Sequence, residues 1–274
     1  MGLQINTNIA AMNAYRNLSV TSNQMSKSLE KLSSGLRINR AADDAAGLSI
    51  SEGLKAQVNG LKVAVRNAQD GISVVQTAEG ALTEVQSILQ RMRELAVQSA
   101  NEGAADPNAR NAASLEVNQL GSELDRITQS TRYGANQLLS SYSGTFQVGA
   151  NSGDSLVISI TTSFTSGGLS VSFTSTAFSA SGSASAALAS IDVAIQAVSD
   201  ARAQLGAVQN RFEHTIANLN VAVENLSASE SRITDTDMAQ EMVQFTRSQI
   251  LQQAGTAMLA QANQAPQSVL KLLQ

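Results

Sequence analysis

The sequence predicts a mainly α protein: a long antiparallel helical bundle or coiled coil made from the amino- and carboxyl-terminal halves of the chain, with a small β-hairpin region in the middle. Three observations carry this. Only two prolines, Pro107 and Pro266, occur in 274 residues, and an internal proline removes a backbone donor and clashes with the preceding turn, so long helices have room to form. Apolar residues recur at steps of three and four in stretches far apart in sequence, which is the spacing of a coiled-coil seam. Aromatic residues make up 3% of the chain and tryptophan is absent. Aromatics supply much of the apolar payload of large globular cores, so thin helical packing on Ala, Leu, Ile and Val fits better.

At the amino end, Ile9, Met12, Tyr15, Leu18, Met25, Leu29 and Leu32 keep the three-four spacing. They predict a first helix whose natural partner is the carboxyl-terminal one. Asp43 or Asp44 can cap the next helix by accepting from its unpaired amide groups. From Leu61 the seam runs Val65, Ala68, Ile72, Val75, Ala78, Leu82, Val85, Leu89, Met92 and Ala96, with one short step near Val75. A helix from about Asp44 to Asn101 would be roughly 85 Å long at 1.5 Å per residue. The stretch GAADPN (103–108) stops it.

A second helix of the middle region follows, with Leu115, Leu120, Leu124 and Ile127 on its apolar face, and TQSTRYGANQ (128–137) ends it. Residues 145–160, TFQVGANSGDSLVISI, alternate apolar and polar around the turn formers Asn151, Ser152, Gly153 and Asp154, which reads as a β-hairpin. GGLSVSFTSTAF (167–178) could add another strand. The excess of Ser, Thr and Gly up to Ser185 marks a linker or exposed surface loop. A third seam then runs Leu188, Ile191, Ile195, Val198, Ala201, Leu205, Val208, Phe212, Ile216, Leu219, Val223 and Leu226. Seams that cannot bury themselves alone imply a bundle made from both halves of the chain.

The last stretch, QILQQAGTAMLAQANQAPQSVLKLL (249–273), is apolar, rich in Gln and Ala, and almost free of charge. Ile250, Leu251, Met258, Leu259, Val269, Leu270, Leu272 and Leu273 fall on more than one helical face, whereas a surface helix shows a single stripe with charges opposite. Such a helix is expected to be buried between copies of the chain or inside a partner.

Composition narrows the function classes. An apolar fraction of 43% excludes a disordered chain, and a net charge of −4 spread along the sequence offers no basic surface for nucleic acid. No run of 18 apolar residues is present to span a bilayer, and the first twenty residues lack the basic start and apolar stretch of a cleaved secretory signal. The absence of cysteine excludes disulfide frameworks and thiol-ligated metals.

Candidates for chemistry are few. His214, the single histidine, sits beside Phe212, Glu213 and Thr215 in a helical context and reads as a polar helix-face residue. Nucleotide-binding motifs are absent. Asp235, Asp237 and Glu241 lack the glycine and spacing of a calcium loop and suit a helix start, where carboxylates complement the dipole and cap amides. Asn17 and Asn225 begin N-x-[ST] triplets inside predicted helices and read as incidental. No catalytic, cofactor-binding or metal site is expected, and the chain is not expected to be an enzyme.

Four motifs carry a family resemblance: LQINTNIAAMNAYRNL (3–18), LSSGLRINRAADDAAGLSIS (32–51), NAQDGISVVQTAEGALTEVQSILQRMRELAVQS (67–99) and SESRITDTDMAQEM (229–242). Together with the carboxyl-terminal run they resemble bacterial flagellin, at both ends and in the family's order, over about half of the chain. The resemblance implies a structural subunit that leaves the cell unfolded through the flagellar type III export channel and polymerises into the hollow helical filament used for motility. It also implies a short form without outer variable domains and without the zinc motif some variants carry there. The terminal core domain would comprise 1–43 and 231–274, with a connecting spoke. The rod domain would be 44–230, including the hairpin and Ser/Thr-rich segment at 140–185.

For core assembly the expected residues are Ile9, Met12, Leu18, Met25, Leu29, Met242, Phe245, Ile250, Leu251, Met258, Leu259, Leu270, Leu272 and Leu273. Expected partners are further copies of the chain, the flagellar export apparatus with a chaperone, and cap and hook-associated proteins, with no cofactor. Read from the residues, QRMRELAVQ (90–98) is a rod surface with Arg91, Arg93 and Glu94 solvated and Met92 and Ala96 buried. Leu95, one step off the seam, is expected to face solvent or a neighbouring subunit. The resemblance adds that this helix is the patch met by the host's Toll-like receptor 5, with Arg91, Leu95 and Glu116 at the contacting positions and Met92 in place of a smaller aliphatic residue. The rival readings are a hook-filament junction protein and a non-polymerising helical-bundle binding protein. Polymerisation in concentrated salt separates them from flagellin.

Overall fold

A computed structural model describes residues 7–101, 106–173 and 181–272. The elements in order are α1 (Ile9–Ser34), α2 (Ala45–Ala100), α3 (Pro107–Ser130), β1 (Arg132–Tyr133), β2 (Asn136–Gln137), β3 (Ser140–Gln147), β4 (Ser155–Ser163), α4 (Ser181–Thr234) and α5 (Met238–Leu272). The fold is mainly α, with two small antiparallel strand pairs in the middle of the chain. Contacts divide it into two units: Met1–Gln57 with Asn225–Gln274, and Val58–Glu224.

The 58–224 unit holds the apolar core. Its α2 seam is a strict heptad: Ala64, Ala68, Gly71, Val75, Ala78, Leu82, Val85, Leu89, Met92 and Ala96 are all buried, at alternating steps of four and three. The short step expected near Val75 is therefore absent. The stripe passes through Gly71 where apolar spacing pointed to Ile72, which is only half-buried. A Cβ at position 71 would lie 2.6 Å from Cζ of Phe212, so glycine is what admits the Phe212 ring. That ring also meets Phe146 of β3 edge to face, with centroids 5.8 Å apart.

On α4 the residues Ile191, Val198, Leu205, Phe212 and Leu219, each seven apart, are buried, and Leu188, Ile195, Ala201, Val208 and Ile216 flank them half-buried. Cross-links fix the direction of α4 against α2. Arg93 pairs with Asp192 at 2.6 Å, Arg202 with Glu79 at 3.7 Å, and Phe212 stands over Gly71. One number rises as the other falls, so the helices are antiparallel. The helix itself starts at Ser181, with Ala184 already buried.

Asp106 caps α3 by accepting from the Asn108 amide, and Pro107 occupies the first turn, where its missing N–H costs nothing. The inward stripe is Ala113, Val117, Leu124 and Thr128. Leu115, expected on this face, is 60% exposed. It lies two residues from both Ala113 and Val117, about 200° round the helix from each. Leu120 and Ile127 are half-buried beside the stripe.

The hairpin forms as β3 and β4, in register from Tyr142 opposite Ile160 to Gln147 opposite Ser155, with a shift near Ser140. Leu156, Ile158 and Ile160 face the core while Val157 and Ser159 face out, the period-two alternation of a half-buried strand. The expected further strand at 167–178 does not form among the described residues, and 174–178 lies outside them. Nor is this stretch an exposed loop up to residue 173. Phe164, Leu169 and Val171 are buried, and the backbone turns through 166–170. Polar pins hold it to α3: Thr128 Oγ1 donates to the Phe164 carbonyl at 2.9 Å, and the Asp125 carboxylate accepts from the Ser166 amide at 2.7 Å and its hydroxyl at 2.8 Å.

In the other unit, α1 and α5 run antiparallel. Asn8 Nδ2 donates to the Ala262 carbonyl at 2.8 Å, Gly255 faces Leu18, and Leu36 bridges Asp235. Gly35 ends α1 in the left-handed conformation, with φ 73°, donating to the Lys31 carbonyl. The chain then pairs with the end of α4, where the Arg37 amide donates to the Thr234 carbonyl at 2.6 Å and its guanidinium to the Ile233 carbonyl. Asp44 caps α2 by accepting from the Gly47 amide at 2.9 Å, while Asp43 accepts from the amides of Asn39 and Arg40. Among the described residues no helix is long and apolar enough to cross a membrane.

Candidate functional site

The helices α1 and α5 meet along two heptad stripes in which small residues are interleaved with larger ones. On α1 the residues turned inward are Ala11, Ala14, Leu18, Thr21, Met25, Ser28 and Leu32, and on α5 they are Glu241, Phe245, Ser248, Gln252, Gly255, Leu259 and Ala262. Each follows steps of three and four. Only Ser28 and Ser248 are buried outright; the rest are half-buried. Two helices whose shared stripe is mostly half-buried keep part of their apolar area in water, and burial of apolar area is what drives folding, at about 25 cal/mol per Å².

Many of the large apolar side chains point the other way. Tyr15 is 66% exposed, Val243 68% and Met258 65%, and Ile9, Met12, Val20, Leu29, Met238, Met242, Ile250 and Leu251 are exposed too. One groove of about 900 Å³ lies over Ile9, Met12, Tyr15, Val20, Leu259 and Asn263. A second, of about 470 Å³, lies over Met242, Val243, Thr246, Ile250 and Leu251. Soluble chains seldom leave apolar patches of this kind uncovered, and large ones mark surfaces built to join something. Charge is sparse here: between 7–26 and 248–264 the one ionisable side chain with a formal charge is Arg16.

The expected assembly residues divide accordingly. Ile9, Met12, Leu29, Met242, Ile250, Leu251 and Met258 face outward, whereas Leu18, Met25, Phe245 and Leu259 lie on the intramolecular stripe. Leu273 lies outside the described residues, and so do the side chains of Leu270 and Leu272. Sequence spacing missed Val20, Met238 and Val243 as outward-facing members. For Val20 and Val243 the signal was available, because each falls off the three-four stripe that the same helices carry. Met238 instead lies in register with that stripe, seven residues before Phe245, and is exposed at the start of α5.

The charged end of the pair is different in kind. Lys27, Lys31, Arg37, Arg232 and Arg247 line a groove of about 720 Å³ together with Asp235, Asp237 and Glu241. Asp237 is occupied as the cap of α5, accepting from the amides of Ala239 and Gln240 at 2.9 and 3.1 Å. Asp235 accepts from the hydroxyls of Ser231 and Thr234. The amides of Arg40 and Asn39 hold the Asp43 carboxyl below its ordinary range, with Lys27 and Lys31 adding to the effect.

On α2, Arg91 bridges Glu116 of α3 at 2.9 Å and Glu94 at 3.2 Å. These contacts, Glu116 foremost, raise the guanidinium pKa further above its ordinary value. Leu95 is not off the core: it is 3% exposed. Here α2 is held to α3 through Arg91 and to α4 through Arg93, so two of its faces are covered and a single-seam reading leaves one out. His214 is exposed on α4. Asn17 and Asn225 also lie exposed in helices, each carbonyl accepting from a hydroxyl one turn on.

Comparison with known proteins agrees along the whole chain. Residues 5–144 match the family described as the bacterial flagellin N-terminal helical region, and residues 188–273 match the bacterial flagellin C-terminal helical region. The chain is 54% identical to a flagellin of Halalkalibacterium halodurans, over 98% of this chain and 99% of that one. It is 46% identical to a flagellin of Bacillus subtilis, over 99% and 100%. To the flagellar filament 33 kDa core protein of Treponema phagedenis it is also 46% identical, over 98% and 99%.

Proposed function

Because the chain belongs to the bacterial flagellin family and is a structural subunit of the flagellar filament rather than an enzyme, we propose that the outward faces of α1 and α5 are where copies join, as the inner core of that filament. One observation carries this reading: the pair packs internally along one stripe on each helix, on which only Ser28 and Ser248 are fully buried, and leaves Ile9, Met12, Tyr15, Val243, Ile250 and Met258 to water. Filament contacts of unlike patches do not close into a ring, so each added subunit presents the surface the next one needs. The terminal core domain is assigned to 1–43 and 231–274, and the rod to 44–230.

The family forms the extracellular flagellar filament. We assign to this chain the matching route: export through the flagellar apparatus with a chaperone, then addition under a cap on hook-associated proteins. A meeting with the host's Toll-like receptor 5 would fall on the exposed Arg91–Glu116 pair, with Leu95 supporting that surface from beneath.

The test is Val243→Asp, made alone and with Ile9→Asp, in purified subunits brought to polymerise by concentrated salt. Both variants should keep the helical circular dichroism of the parent and form no long filaments by electron microscopy. Filaments at the parent's yield from the double variant would reject the assigned faces.

A further inference from the structure

The methionines of this chain are not spread evenly. Of seven, Met1 lies outside the described residues and Met92 is fully buried in the 58–224 core, while Met12, Met25, Met238, Met242 and Met258 stand on α1 and α5. Met25 is half-buried on the stripe between the helices; Met12, Met238, Met242 and Met258 are exposed. Cysteine and tryptophan are absent, so the thioethers are the groups in the chain most open to mild two-electron oxidants. Two of them sit in the apolar grooves, Met12 in one and Met242 in the other.

We propose that Met12, Met238, Met242 and Met258 form an oxidation site that controls entry into the filament: a peroxide converts them to sulfoxides in the free subunit and thereby blocks its addition, and addition in turn shields them. The inference rests on the assignment of these faces to the inner core. In the reaction the sulfur lone pair attacks one peroxide oxygen. An S–O bond forms as the O–O bond breaks, and the departing hydroxide takes the proton of the transferred oxygen, giving sulfoxide and water. Sulfur is oxidised and hydrogen peroxide is reduced.

The consequence follows from solvation. A thioether is apolar, flexible and suited to filling irregular gaps between helices. A sulfoxide is a strong acceptor, and burying it against Val243, Ile250 or Tyr15 strips its water without a donor in return. The free subunit has little to lose, because these side chains are in water there already. Assembly carries the whole penalty, so the modification separates folding from polymerisation.

The experiment uses the full chain and dilute hydrogen peroxide, with peptide mass spectrometry to place each sulfoxide and light scattering to measure the critical concentration for polymerisation. In the free subunit the four exposed methionines should oxidise at least tenfold faster than Met92. In filaments their rates should fall at least tenfold. Oxidised subunits should need about tenfold or more higher concentration to polymerise. Reduction with methionine sulfoxide reductases acting on both epimers should restore the original value. A chain carrying Met12→Leu, Met238→Leu, Met242→Leu and Met258→Leu should polymerise after peroxide treatment as before it. If filaments protect these residues but oxidised subunits polymerise at an unchanged critical concentration, the switch is overturned and the inner-core reading stands. Equal oxidation in filaments and free subunits overturns both. Should the quadruple variant fail to assemble, the oxidation and reduction arms on the parent chain decide alone.

Discussion

Gly255 of α5 lies against Leu18 of α1 so closely that a Cβ at position 255 would stand 3.3 Å from Leu18 Cδ1. The approach sets the spacing of the pair at this level, where the stripe neighbours of Leu18 are the small Ala14 and Thr21. A leucine at 255 has no room beyond its Cβ and must push the helices apart. Gly255→Leu is therefore expected to abolish filament formation while leaving the thermal melt of the 58–224 core unchanged. Sedimentation in polymerising salt, alongside circular dichroism, checks this. Pelleting at the parent's level would mean that helix spacing is not what assembly reads.

Phe164 sits fully buried at the end of β4, its carbonyl held by Thr128 and its amide donating to the Leu139 carbonyl. Phe164→Ala removes a large buried side chain and leaves a cavity, at a cost of about 3–5 kcal/mol. The expected result is a clear drop in the urea midpoint with little change in slope. A deletion starting at Thr162 should unfold the hairpin for the same reason. A deletion confined to 174–180 spares these contacts, and its polymerisation should match the parent.

Both cases show what could be read from residue spacing and what could not. The α2 and α4 seams, the hairpin and the caps at Asp44 and Asp237 were legible because large apolar side chains or carboxylates mark them directly. Gly71 was not, since a residue with no side chain carries no apolar signal, and its place in the heptad depends on Phe212 arriving from a distant part of the chain. Leu95 failed differently: spacing identifies one seam, and α2 there is covered on two faces. The Ser, Thr and Gly of 161–173 suggested a surface loop, but the three buried apolar residues among them, Phe164, Leu169 and Val171, decide where the backbone goes. On α1 and α5 the large residues are legible too, but spacing alone does not say which face meets the partner helix, and Leu18, Met25, Phe245 and Leu259 lie between the two helices. Small residues interleaved with these four make the stripe that pairs the helices within a chain.

Asp43 supplies the pH prediction. Its carboxyl is held below the ordinary 3.8, chiefly by the amides of Arg40 and Asn39. A pKa lowered on folding stabilises the fold above the unfolded value and loses that contribution as pH falls through the folded one. The turn at 38–43 should therefore hold at pH 5 and loosen below about 3.8. Amide hydrogen exchange at Asn39 and Arg40, both donors to this carboxylate, should accelerate in that window relative to the intrinsic rate. In Asp43→Asn the two amides should exchange faster at pH 5 already, with the acid-dependent part removed. Unchanged protection between the parent and this variant would show that the carboxylate does not hold the turn.

Arg91 and Leu95 are four residues apart on α2, one exposed and one buried, and the split gives the last prediction. Arg91 reaches Glu116 and Glu94 across the surface, whereas Leu95 lies in the core with α2 held to α3 and α4 around it. Surface ion pairs are screened and offset by side-chain entropy, so Arg91→Ala should leave the melting transition where it is. Leu95→Ala should cost about 2–5 kcal/mol through the cavity it leaves. If the receptor reads this patch, Arg91→Ala should weaken binding with the fold intact. Leu95→Ala should weaken it only in step with its loss of stability, so that a measurement at low temperature, where the fold persists, recovers most of the affinity. Binding lost in Leu95→Ala at a temperature where its circular dichroism matches the parent would mean that Leu95 itself reaches the receptor, through a rearrangement of α2 that uncovers it.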